Sequence, residues 1–393
     1  MRFLVGIDDT DSSRGWCTTY LAFRIAADLG PEVKVLPYPR LVRLNPNIPF
    51  KTRGNAAVCL EVEGQDSGAV FESVSKKVSE LSDVEGGANS GMVLVERSSR
   101  EFELLYLEAL RGMVSPHRVR KLLRSVGAKS FELGNGMGIV GAASCIGFSD
   151  RSDHTFELIA YRRKEFWETR RTVDSASVRE MDSKTFPHTI NNYDYQKRKV
   201  LIAPHGPDPV FCGIRGDSPR SVSDAFHMLR IDEPLQGHII YLSNQHTDAH
   251  LQKPLLWKVY SSGWVDGTVD SVSTGTGGHV YVVLNAEGRT RIAAAYEPTG
   301  DLRRTARLLH PGDRIRAFGG VRRGTSLHPS VLNMEKFQLK SKGSLPKGTY
   351  ISSPRANRHL TKPLTRYGRE DRTRAAPMTG WLESAPTRPL VLA

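Results

Sequence analysis

The sequence has few cysteines and no long hydrophobic run. Its 393 residues include four cysteines, none in a CxxC pair, at Cys17, Cys59, Cys145 and Cys212. This pattern excludes a disulfide framework and a cysteine zinc site, and it favours a reducing, cytoplasmic location. No apolar run approaches the ~20 residues that cross a membrane. The first ten residues, MRFLVGIDDT, reach acidic side chains before a signal-peptide core could form. We therefore expect a soluble protein with no membrane partner.

Acidic residues are fewer than basic ones. The chain has 42 Asp and Glu against 55 Lys and Arg, which gives a formal net charge of +13. An excess of this kind favours a polyanionic partner such as nucleic acid, because neutralised phosphates release their counterions on binding. Hydrophobic residues make up 39% of the chain, enough for buried cores, so a mostly disordered chain is excluded. The length suggests two or three domains at about 150 residues each.

Strand and helix patterns are mixed in the first half of the chain. Phe3–Ile7 predicts a strand and Thr18–Leu29 has the apolar spacing of a helix. Asp66 precedes a second helical pattern as a candidate cap, and Ser115 precedes a third. Further strands are expected at 33–44 and 56–62. We expect an α/β or α+β domain over residues 1–195, followed by a segment over 196–257 that contains a helix near 222–229.

Residues 258–340 have a different order of elements. Three strand patterns are followed by a helix pattern at 302–309 and by two more strand patterns at 314–319 and 331–339. This is the order of an OB-fold, a five-stranded barrel that often binds oligonucleotides; another small barrel used for packing is the alternative. Residues 341–393 carry ten Lys and Arg against three Asp and Glu. They predict a basic tail that is either solvated or bound to nucleic acid.

The acidic cluster in the motif GIDDTDS is the strongest local signal for chemistry. Asp8, Asp9 and Asp11 follow the first predicted strand, and carboxylates this close repel one another unless a cation lies among them. Oxygen ligands suit Mg²⁺, which also binds phosphate oxygens, so the cluster predicts a site that positions a nucleotide polyphosphate. The alternative is that Asp8 or Asp9 caps a turn. Thr18 opens the next helix, either as its cap or beside a bound phosphate.

A glycine-rich loop and a basic loop are further candidate binding sites. The loop Gly134–Gly138 does not match a Walker A motif, but its glycines allow backbone amides to converge on an anion. A turn without a ligand is the alternative. The basic loop Arg40–Asn55 carries four cations and three asparagines around two prolines. The basic loop suits contacts to RNA, and a hydrated connection between elements is an equally good interpretation. Its cations are Arg40, Arg43, Lys51 and Arg53.

Seven blocks of sequence occur in a characteristic order along nearly the whole chain. They are GIDDTDS with WCTTYLA, RLVRLNPNIPFKTRGNAAV, GNGMGIVGA, HGPDPVFCGIRGDSP, SNQHTDAHL, TGTGGHVYVVL and SPRANRHLTKPL. In this order they resemble the archaeal isoleucine-tRNA 2-agmatinylcytidine synthetase family. The resemblance implies an ATP-dependent ligase that replaces the C2 oxygen of the wobble cytidine in a CAU-anticodon isoleucine tRNA with agmatine. The C2 oxygen is phosphorylated before agmatine displaces it, and the product reads AUA as isoleucine.

The resemblance also implies an α+β multidomain architecture. It assigns an atypical kinase-like catalytic domain to 1–195, a ferredoxin-like domain to 196–257, an OB-fold β-barrel to 258–340 and a basic C-terminal tail to 341–393. Asp8, Asp9 and Asp11 match the catalytic, metal-binding aspartates of the family, and Thr18 matches its autophosphorylated threonine. The ATP-binding residues implied by the glycine loop are Gly134, Asn135, Gly136 and Gly138.

One departure from the family concerns zinc. A zinc ribbon should lie between the barrel and the SPRANRHLTKPL block, yet residues 340–348 contain no cysteine. We therefore expect ATP and Mg²⁺ as cofactors without zinc. The basic tail replaces the ribbon as an RNA contact in this interpretation, through Arg355, Arg358, His359 and Lys362.

The residues that hold agmatine are less determined by the sequence than the activity. Agmatine carries a guanidinium and needs carboxylate partners, for which Asp208 and Asp217 are the candidates, with structural roles as the alternative for both. Two other functions stay open. One is a non-catalytic RNA-binding protein that uses the OB-fold and the tail, and the other is a kinase with a different acceptor.

Overall fold

A computed structural model describes residues 1–343 except 13, 30–32, 52–53, 196–197, 298 and 326–328, together with Trp381–Glu383. The chain divides into two units, of which the first comprises Met1–Tyr193 and Val200–Thr247. The second comprises Asp194–Lys199 and the chain from Asp248 onward. In the described part of the chain, no helix is long and apolar enough to cross a membrane.

Twelve strands and seven α-helices are described before residue 248. The helices are α1 Thr18–Asp28, α2 Ser67–Leu81, α3 Arg100–Arg111, α4 Pro116–Ser125, α5 Ile139–Ser144, α6 Ser175–Thr185 and α7 Pro219–His227. The strands are β1 Arg2–Asp8, β2 Val33–Val35, β3 Arg40–Arg43, β4 Ala56–Gly64, β5 Gly91–Val95, β6 Lys129–Glu132, β7 Thr155–Arg162, β8 Thr189–Ile190, β9 Tyr193–Asp194, β10 Lys199–Val200, β11 Val210–Gly216 and β12 Leu235–Ser243.

One ten-stranded sheet runs through the first unit. Its order is β6-β5-β1-β4-β3-β12-β7-β11-β8, with β2 paired to β4. Among the described pairings of this sheet, only β3 and β12 run parallel, with Leu242 opposite Arg40 and Ser243 opposite Leu41. This pair joins strands built from residues 2–132 to strands built from residues 155–243. The boundary expected at residue 195 lies within the second group, because β7 precedes it, β11 follows it and the two strands pair.

The strand β1 is the centre of the N-terminal half. It pairs with β4 on one side and β5 on the other. Phe3, Val5 and Ile7 point to one face, where they are fully buried in a core with apolar residues of α1 and α2. Helix α5 packs against the other face, and a Cβ on Gly6 would lie 1.8 Å from the carbonyl oxygen of Ala142. The strand and the two helices expected here are confirmed.

The second unit contains a closed five-stranded barrel. Its elements are β13 Ser262–Thr274, β14 Val280–Ala286, β15 Arg289–Ala295, α8 Asp301–Ala306, β16 Arg314–Arg322, β17 Val331–Ser341 and β18 Trp381–Glu383. The order β15-β14-β13-β16-β17 closes through a parallel pairing of β15 with β17. Apolar side chains fill the interior, among them Val282, Leu284 and Phe337, all fully buried. The expected five-stranded barrel is confirmed. β18, from within the expected tail, also pairs with β17.

The contact between β1 and α5 can be tested with alanine. Gly6→Ala places a methyl group in the space held by the Ala142 carbonyl, so α5 must shift and the first unit loses about 1–3 kcal/mol of unfolding free energy. Gly112→Ala is the matched control, because its Cβ would meet only the Glu108 carbonyl oxygen at 3.6 Å, an ordinary contact. Urea denaturation measures both. Equal stability of the two variants would contradict the packing described here.

Candidate active site

Two adjoining clefts lie at the carboxyl end of β1. The acidic cleft has an empty volume of about 710 Å³ and is lined by Asp8, Asp9 and Asp11 together with apolar side chains that include Phe50 and Met113. The threonine cleft has an empty volume of about 890 Å³, and its lining includes Thr18, Thr19, Arg43, Glu157, Asp208 and Arg215. Asp11 lines both clefts. It therefore marks the place where the two clefts meet.

Asp8 and Asp9 form the turn that ends β1. The backbone of Asp9 is in the left-handed region, with φ of 56°, and its amide donates to Oδ1 of Asp8 at 2.8 Å. The hydroxyl of Ser90 donates to the carbonyl oxygen of Asp9 at 3.0 Å. The carboxylate of Asp8 lies against α5, where a Cβ on Gly141 would be 1.8 Å from Oδ2. A glycine at that position gives the carboxylate its space.

The acidic residues raise one another's pKa values. Burial raises the pKa of Asp8 well above its usual value, and the carboxylate of Asp9 raises it further. Burial and the neighbouring Asp11 raise the pKa of Asp9 to about 6. A cation bound at the cluster would relieve this repulsion. Both carboxylates therefore favour a positively charged ligand.

The donor set fits Mg²⁺ as a partner of phosphate rather than as a protein-enclosed ion. Among the described residues, no three His, Cys, Asp or Glu side chains are grouped closely enough to hold a metal by themselves. Mg²⁺ commonly takes one or two carboxylates from the protein and its other ligands from phosphate and water. Asp8 and Asp9 provide hard oxygen donors of this kind at the edge of the acidic cleft.

Thr18 is the first residue of α1, one position inside the helix. Cys17 occupies the N-cap, and the hydroxyl of Thr18 accepts a hydrogen bond from Thr10 at 3.1 Å. Both threonines are buried, with Thr18 exposed by 6%, yet Thr18 lines the threonine cleft. The amino end of a helix favours negative charge. The hydroxyl of Thr18 is thus held beside a position suited to an anion.

The glycine loop contributes Met137 and Gly138 to the lining of the acidic cleft. Its four amides from Asn135 to Gly138 already have acceptors within the protein. The Asn135 amide donates to Oδ1 of Asn89 at 3.0 Å, and the Met137 amide donates to Oδ1 of Asn135 at 2.9 Å. The amides of Gly136 and Gly138 donate to the carbonyl oxygens of Leu133 and Asn89. The amide cradle expected from the glycines is therefore not formed, since these donors hold the loop itself together.

Close packing explains the glycine at the end of this loop. A Cβ on Gly138 would lie 2.6 Å from the Gly91 nitrogen and 2.7 Å from the Asp8 carbonyl oxygen. Gly134 and Gly136 have φ of 61° and 68°, which favours glycine at both positions. The loop is thus a packed turn that positions α5 and the end of β1.

The basic residues expected to contact RNA do not share one surface. Arg40 and Arg43 are three residues apart on β3 and therefore lie on opposite faces. Arg43 lines the threonine cleft, whereas Arg40 donates to the Phe148 carbonyl oxygen at 2.8 Å and to Glu61 at 3.3 Å. Lys51 lines the acidic cleft. The remaining candidates lie outside the described residues: Arg53, Arg355, Arg358, His359 and Lys362.

The two carboxylates considered for agmatine have different surroundings. Asp208 is buried in the lining of the threonine cleft. Its Oδ1 accepts hydrogen bonds from the Val210 amide at 2.9 Å and from Arg171 at 3.2 Å. Asp217 pairs with His188 at 2.8 Å and accepts from the Ser221 hydroxyl at 3.1 Å. The structure brings Asp208, and not Asp217, to the cleft that contains Thr18.

Glu157 is a site residue that sequence reasoning missed. It lies on β7, lines the threonine cleft and is exposed by only 2%. Arg215 lies 2.9 Å from one of its carboxylate oxygens and Arg43 lies 3.5 Å from the other. Burial alone would raise the pKa of Glu157, but the two guanidiniums outweigh burial and lower it. The signal in the sequence was a single acidic residue within the otherwise apolar run TFELIAY.

Removal of the Glu157 charge should destabilise the first unit in a pH-dependent way. Because its pKa is lower in the folded protein, Glu157 stabilises the fold above its unfolded pKa of about 4.5. That contribution is lost as the pH falls through the folded pKa. At pH 7, Glu157→Gln leaves two guanidiniums unpaired and lowers the unfolding free energy by about 3–5 kcal/mol. The difference in unfolding free energy between Glu157→Gln and the unmodified chain should shrink as the pH falls below about 4.

The matched control for this experiment is Glu61→Gln. Glu61 pairs with Arg40 at 3.3 Å, but its side chain is 35% exposed. Its replacement should therefore cost less than about 1 kcal/mol. Urea denaturation over a series of pH values from neutral downward measures both variants. Two results would contradict the role of Glu157 as a buried ion-pair partner. One is a loss of unfolding free energy in Glu157→Gln that does not depend on pH, and the other is an equal loss in Glu157→Gln and Glu61→Gln.

Comparisons with known proteins agree with this architecture. The family model described as the TiaS TCKD domain matches residues 4–135, and the model described as the TiaS FLD domain matches residues 136–250. TiaS from Cenarchaeum symbiosum, an isoleucine-tRNA 2-agmatinylcytidine synthetase, is 37% identical over 432 residues. That alignment covers 97% of this chain and 96% of the relative.

Solved structures of TiaS proteins are also similar to this chain. The complex of a TiaS protein with its isoleucine tRNA, AMPCPP and agmatine has a TM-score of 0.80 at 32% identity and covers 88% of this chain and 84% of that one. The complex of TiaS with the tRNA and ATP has a TM-score of 0.83 at 30% identity, with coverage of 100% and 98%. The ZRD-deleted mutant of TiaS in complex with agmatine has a TM-score of 0.76 at 27% identity, with coverage of 99% and 95%. The chain belongs to the TiaS family of isoleucine-tRNA 2-agmatinylcytidine synthetases.

Proposed function

We propose that this chain is an ATP-dependent tRNA-modifying ligase that attaches agmatine to C2 of the wobble cytidine in the CAU-anticodon isoleucine tRNA. The observation that carries the proposal is the junction of two clefts at Asp11, with half-buried carboxylates on one side and Thr18 on the other. Membership of the TiaS family supports it, as do the complexes of related proteins with the isoleucine tRNA, ATP or AMPCPP, and agmatine. We place this activity in the cytoplasm.

The acidic cleft is the proposed nucleotide site. Phe50 and Met113 line it although they are 61% and 55% exposed, so they offer an apolar wall to a purine base. Lys51 lines the same cleft and suits the polyphosphate. Asp8 and Asp9 are the residues that would hold Mg²⁺, together with phosphate and water, and Asp11 lines the same cleft. The ion would neutralise charge on the transferring phosphate.

Thr18 is the proposed phosphate acceptor within the protein, and the wobble base is the final one. The oxygen at C2 of a pyrimidine is a poor leaving group, and its phosphorylation by ATP makes it a good one. The primary amine of agmatine then forms the new bond to C2 and loses one proton, while the bond to the phosphorylated oxygen breaks and phosphate leaves with that oxygen. The base must leave the anticodon stack to reach the clefts.

The finer domain assignments belong to the same proposal. We assign the kinase-like character to the part that carries β1–β6 and the acidic cleft. We assign a ferredoxin-like domain to β7, α6, β8, β11, α7 and β12, because strand-helix-strand-strand-helix-strand is the order of that fold. The divisions of the chain at residues 257 and 340 stay predictions, whereas the division expected at residue 195 falls inside this group of strands. RNA contacts are proposed for Arg43, Lys51 and the basic tail, in place of a zinc ribbon.

Agmatine incorporation tests the proposed activity. With labelled agmatine, ATP, Mg²⁺ and a transcript of the isoleucine tRNA, Asp9→Asn should lower the rate of incorporation by at least about 100-fold, because electrostatic stabilisation of the transferring phosphate is lost. Asp66→Asn is the control, since Asp66 caps α2 away from both clefts. Incorporation that Asp9→Asn leaves unchanged would overturn the role of the cluster.

The same assay separates the alternative functions. A chain that binds tRNA but incorporates no agmatine is a non-catalytic RNA-binding protein. Phosphorylation of Thr18 that needs neither tRNA nor agmatine, again without incorporation, indicates a kinase with another acceptor. Thr18→Ser should retain part of the incorporation, because it keeps the hydroxyl, and Thr18→Ala should abolish it.

The agmatine carboxylate can be identified by its effect on KM. Asp208→Asn should raise the KM for agmatine about tenfold or more, because a charge-assisted hydrogen bond to the guanidinium is weakened. Asp217→Asn should leave that KM unchanged, since Asp217 pairs with His188 instead. Initial rates at varied agmatine concentration measure both variants. If the two variants change the KM for agmatine equally, or if Asp208→Asn leaves it unchanged, agmatine is bound by other residues.

A further inference from the structure

An aromatic patch lies at one end of the barrel in the second unit. It consists of His279, Tyr281, Tyr296 and Arg322. The ring of Tyr296 lies 5.2 Å from that of His279 and 6.5 Å from that of Tyr281, centroid to centroid. The guanidinium of Arg322 lies 5.8 Å from the Tyr296 centroid. The three rings are half-buried and Arg322 is exposed, so each ring presents part of its surface to solvent.

The barrel topology brings these side chains together. Tyr281 lies near the start of β14 opposite Ala294 of β15, and Tyr296 directly follows β15. The amide of Glu297 donates to Nδ1 of His279 at 3.0 Å, which holds the imidazole beside Tyr296. Gly275 lies under the ring of Tyr281, where a Cβ would be 2.8 Å from Cε2. The rings are therefore fixed before any ligand arrives.

Arginine side chains lie beside the patch, and the acidic Glu297 is next to it in sequence. Arg303 and Arg307 of the α8 region both donate to the carbonyl oxygen of Gly278, at 3.0 and 3.3 Å. They fix the loop between β13 and β14, where Gly278 has φ of 82°. Within the described residues, no carboxylate lies at ion-pair distance from Arg322. The patch thus combines exposed aromatic faces with cations that are available to an anionic ligand.

A second aromatic–arginine contact on the same barrel provides a contrast. Arg316 lies over the ring of Trp264 at 3.6 Å. Its guanidinium also pairs with Asp266 through two hydrogen bonds of 2.7 Å. The charge of Arg316 is therefore already compensated within the protein. The contrast identifies the patch around Tyr296, rather than the ring of Trp264, as the surface suited to a polyanion.

We propose that the aromatic patch binds an unpaired nucleotide of the RNA substrate. A base stacks on Tyr281, and the adjoining phosphates lie beside Arg322, Arg303 and Arg307. Every nucleobase has a π-face, so such stacking tolerates any sequence. The loop between β13 and β14, and the start of the loop after β16, are the places where five-stranded barrels of this order bind oligonucleotides. The inference rests on the proposed function, since it takes the tRNA as the ligand.

Binding of the isoleucine tRNA transcript to the full chain tests the patch. Tyr281→Ala should raise the Kd about 5- to 150-fold, the range for loss of one stacked base, while Tyr281→Phe should keep the Kd near that of the unmodified chain. Arg322→Ala should reduce the slope of log Kd against log salt by about 1, the value for one lost phosphate contact. Arg316→Ala is the control and should change neither the Kd nor the salt slope.

The outcomes separate this inference from the proposed function. A Kd that Tyr281→Ala leaves unchanged, or equal salt slopes for Arg322→Ala and Arg316→Ala, would overturn the patch. Either result would overturn the patch even if agmatine is incorporated normally. It would indicate that the patch binds a protein partner or has no partner. If the variants weaken tRNA binding as expected but the unmodified chain incorporates no agmatine, the patch stands and the proposed function fails. Thermal unfolding of each variant checks that the barrel is intact.

Discussion

The close approach of α5 to β1 is the constraint on which the candidate active site depends. Gly6 and Gly141 have no side chains at this contact, so the helix lies directly against the strand and the Asp8 carboxylate is held over it. Burial and the neighbouring carboxylates then raise the pKa of Asp8 and of Asp9. Two glycines thereby bring about the concentration of negative charge that makes a cation and a polyphosphate favourable ligands. The chemistry of the cleft follows from a short distance between backbones.

The parallel pairing of β3 with β12 has a similar importance for the threonine cleft. Asn244 follows β12 and binds Arg43 twice, accepting from its amide at 2.7 Å and donating to its carbonyl oxygen at 2.9 Å. Arg43 in turn reaches Glu157 of β7. The walls of the cleft thus come from both halves of the sheet, and neither half alone would contain the site. The two TiaS family models meet at residues 135 and 136, between the last strand of the first half and the first strand of the second.

Much of the local structure was predictable from the sequence, because apolar periodicity is a local property. The strand at Phe3–Ile7, the helix from Thr18 and the five barrel strands follow from it directly. The joining of two groups of strands into one sheet was not predictable, since the β3–β12 pairing involves only two residue pairs far apart in sequence. The amide cradle predicted for the glycine loop was wrong for a related reason. The positive φ angles of the loop were foreseeable, but Asn89, which accepts from two of its amides, lies elsewhere in the chain. Glu157 was missed because its partners Arg43 and Arg215 are distant in sequence.

Mass analysis of the anticodon fragment shows whether this chain joins agmatine to one base of the isoleucine tRNA. The isoleucine tRNA transcript is incubated with the protein, agmatine, ATP and Mg²⁺, digested with a ribonuclease and compared with a reaction without ATP. We expect that the mass of the wobble cytidine increases by the agmatine adduct, only with ATP, and that no other nucleoside changes. An unmodified wobble cytidine in a chain that binds the tRNA, or agmatine attached at another position, would contradict it.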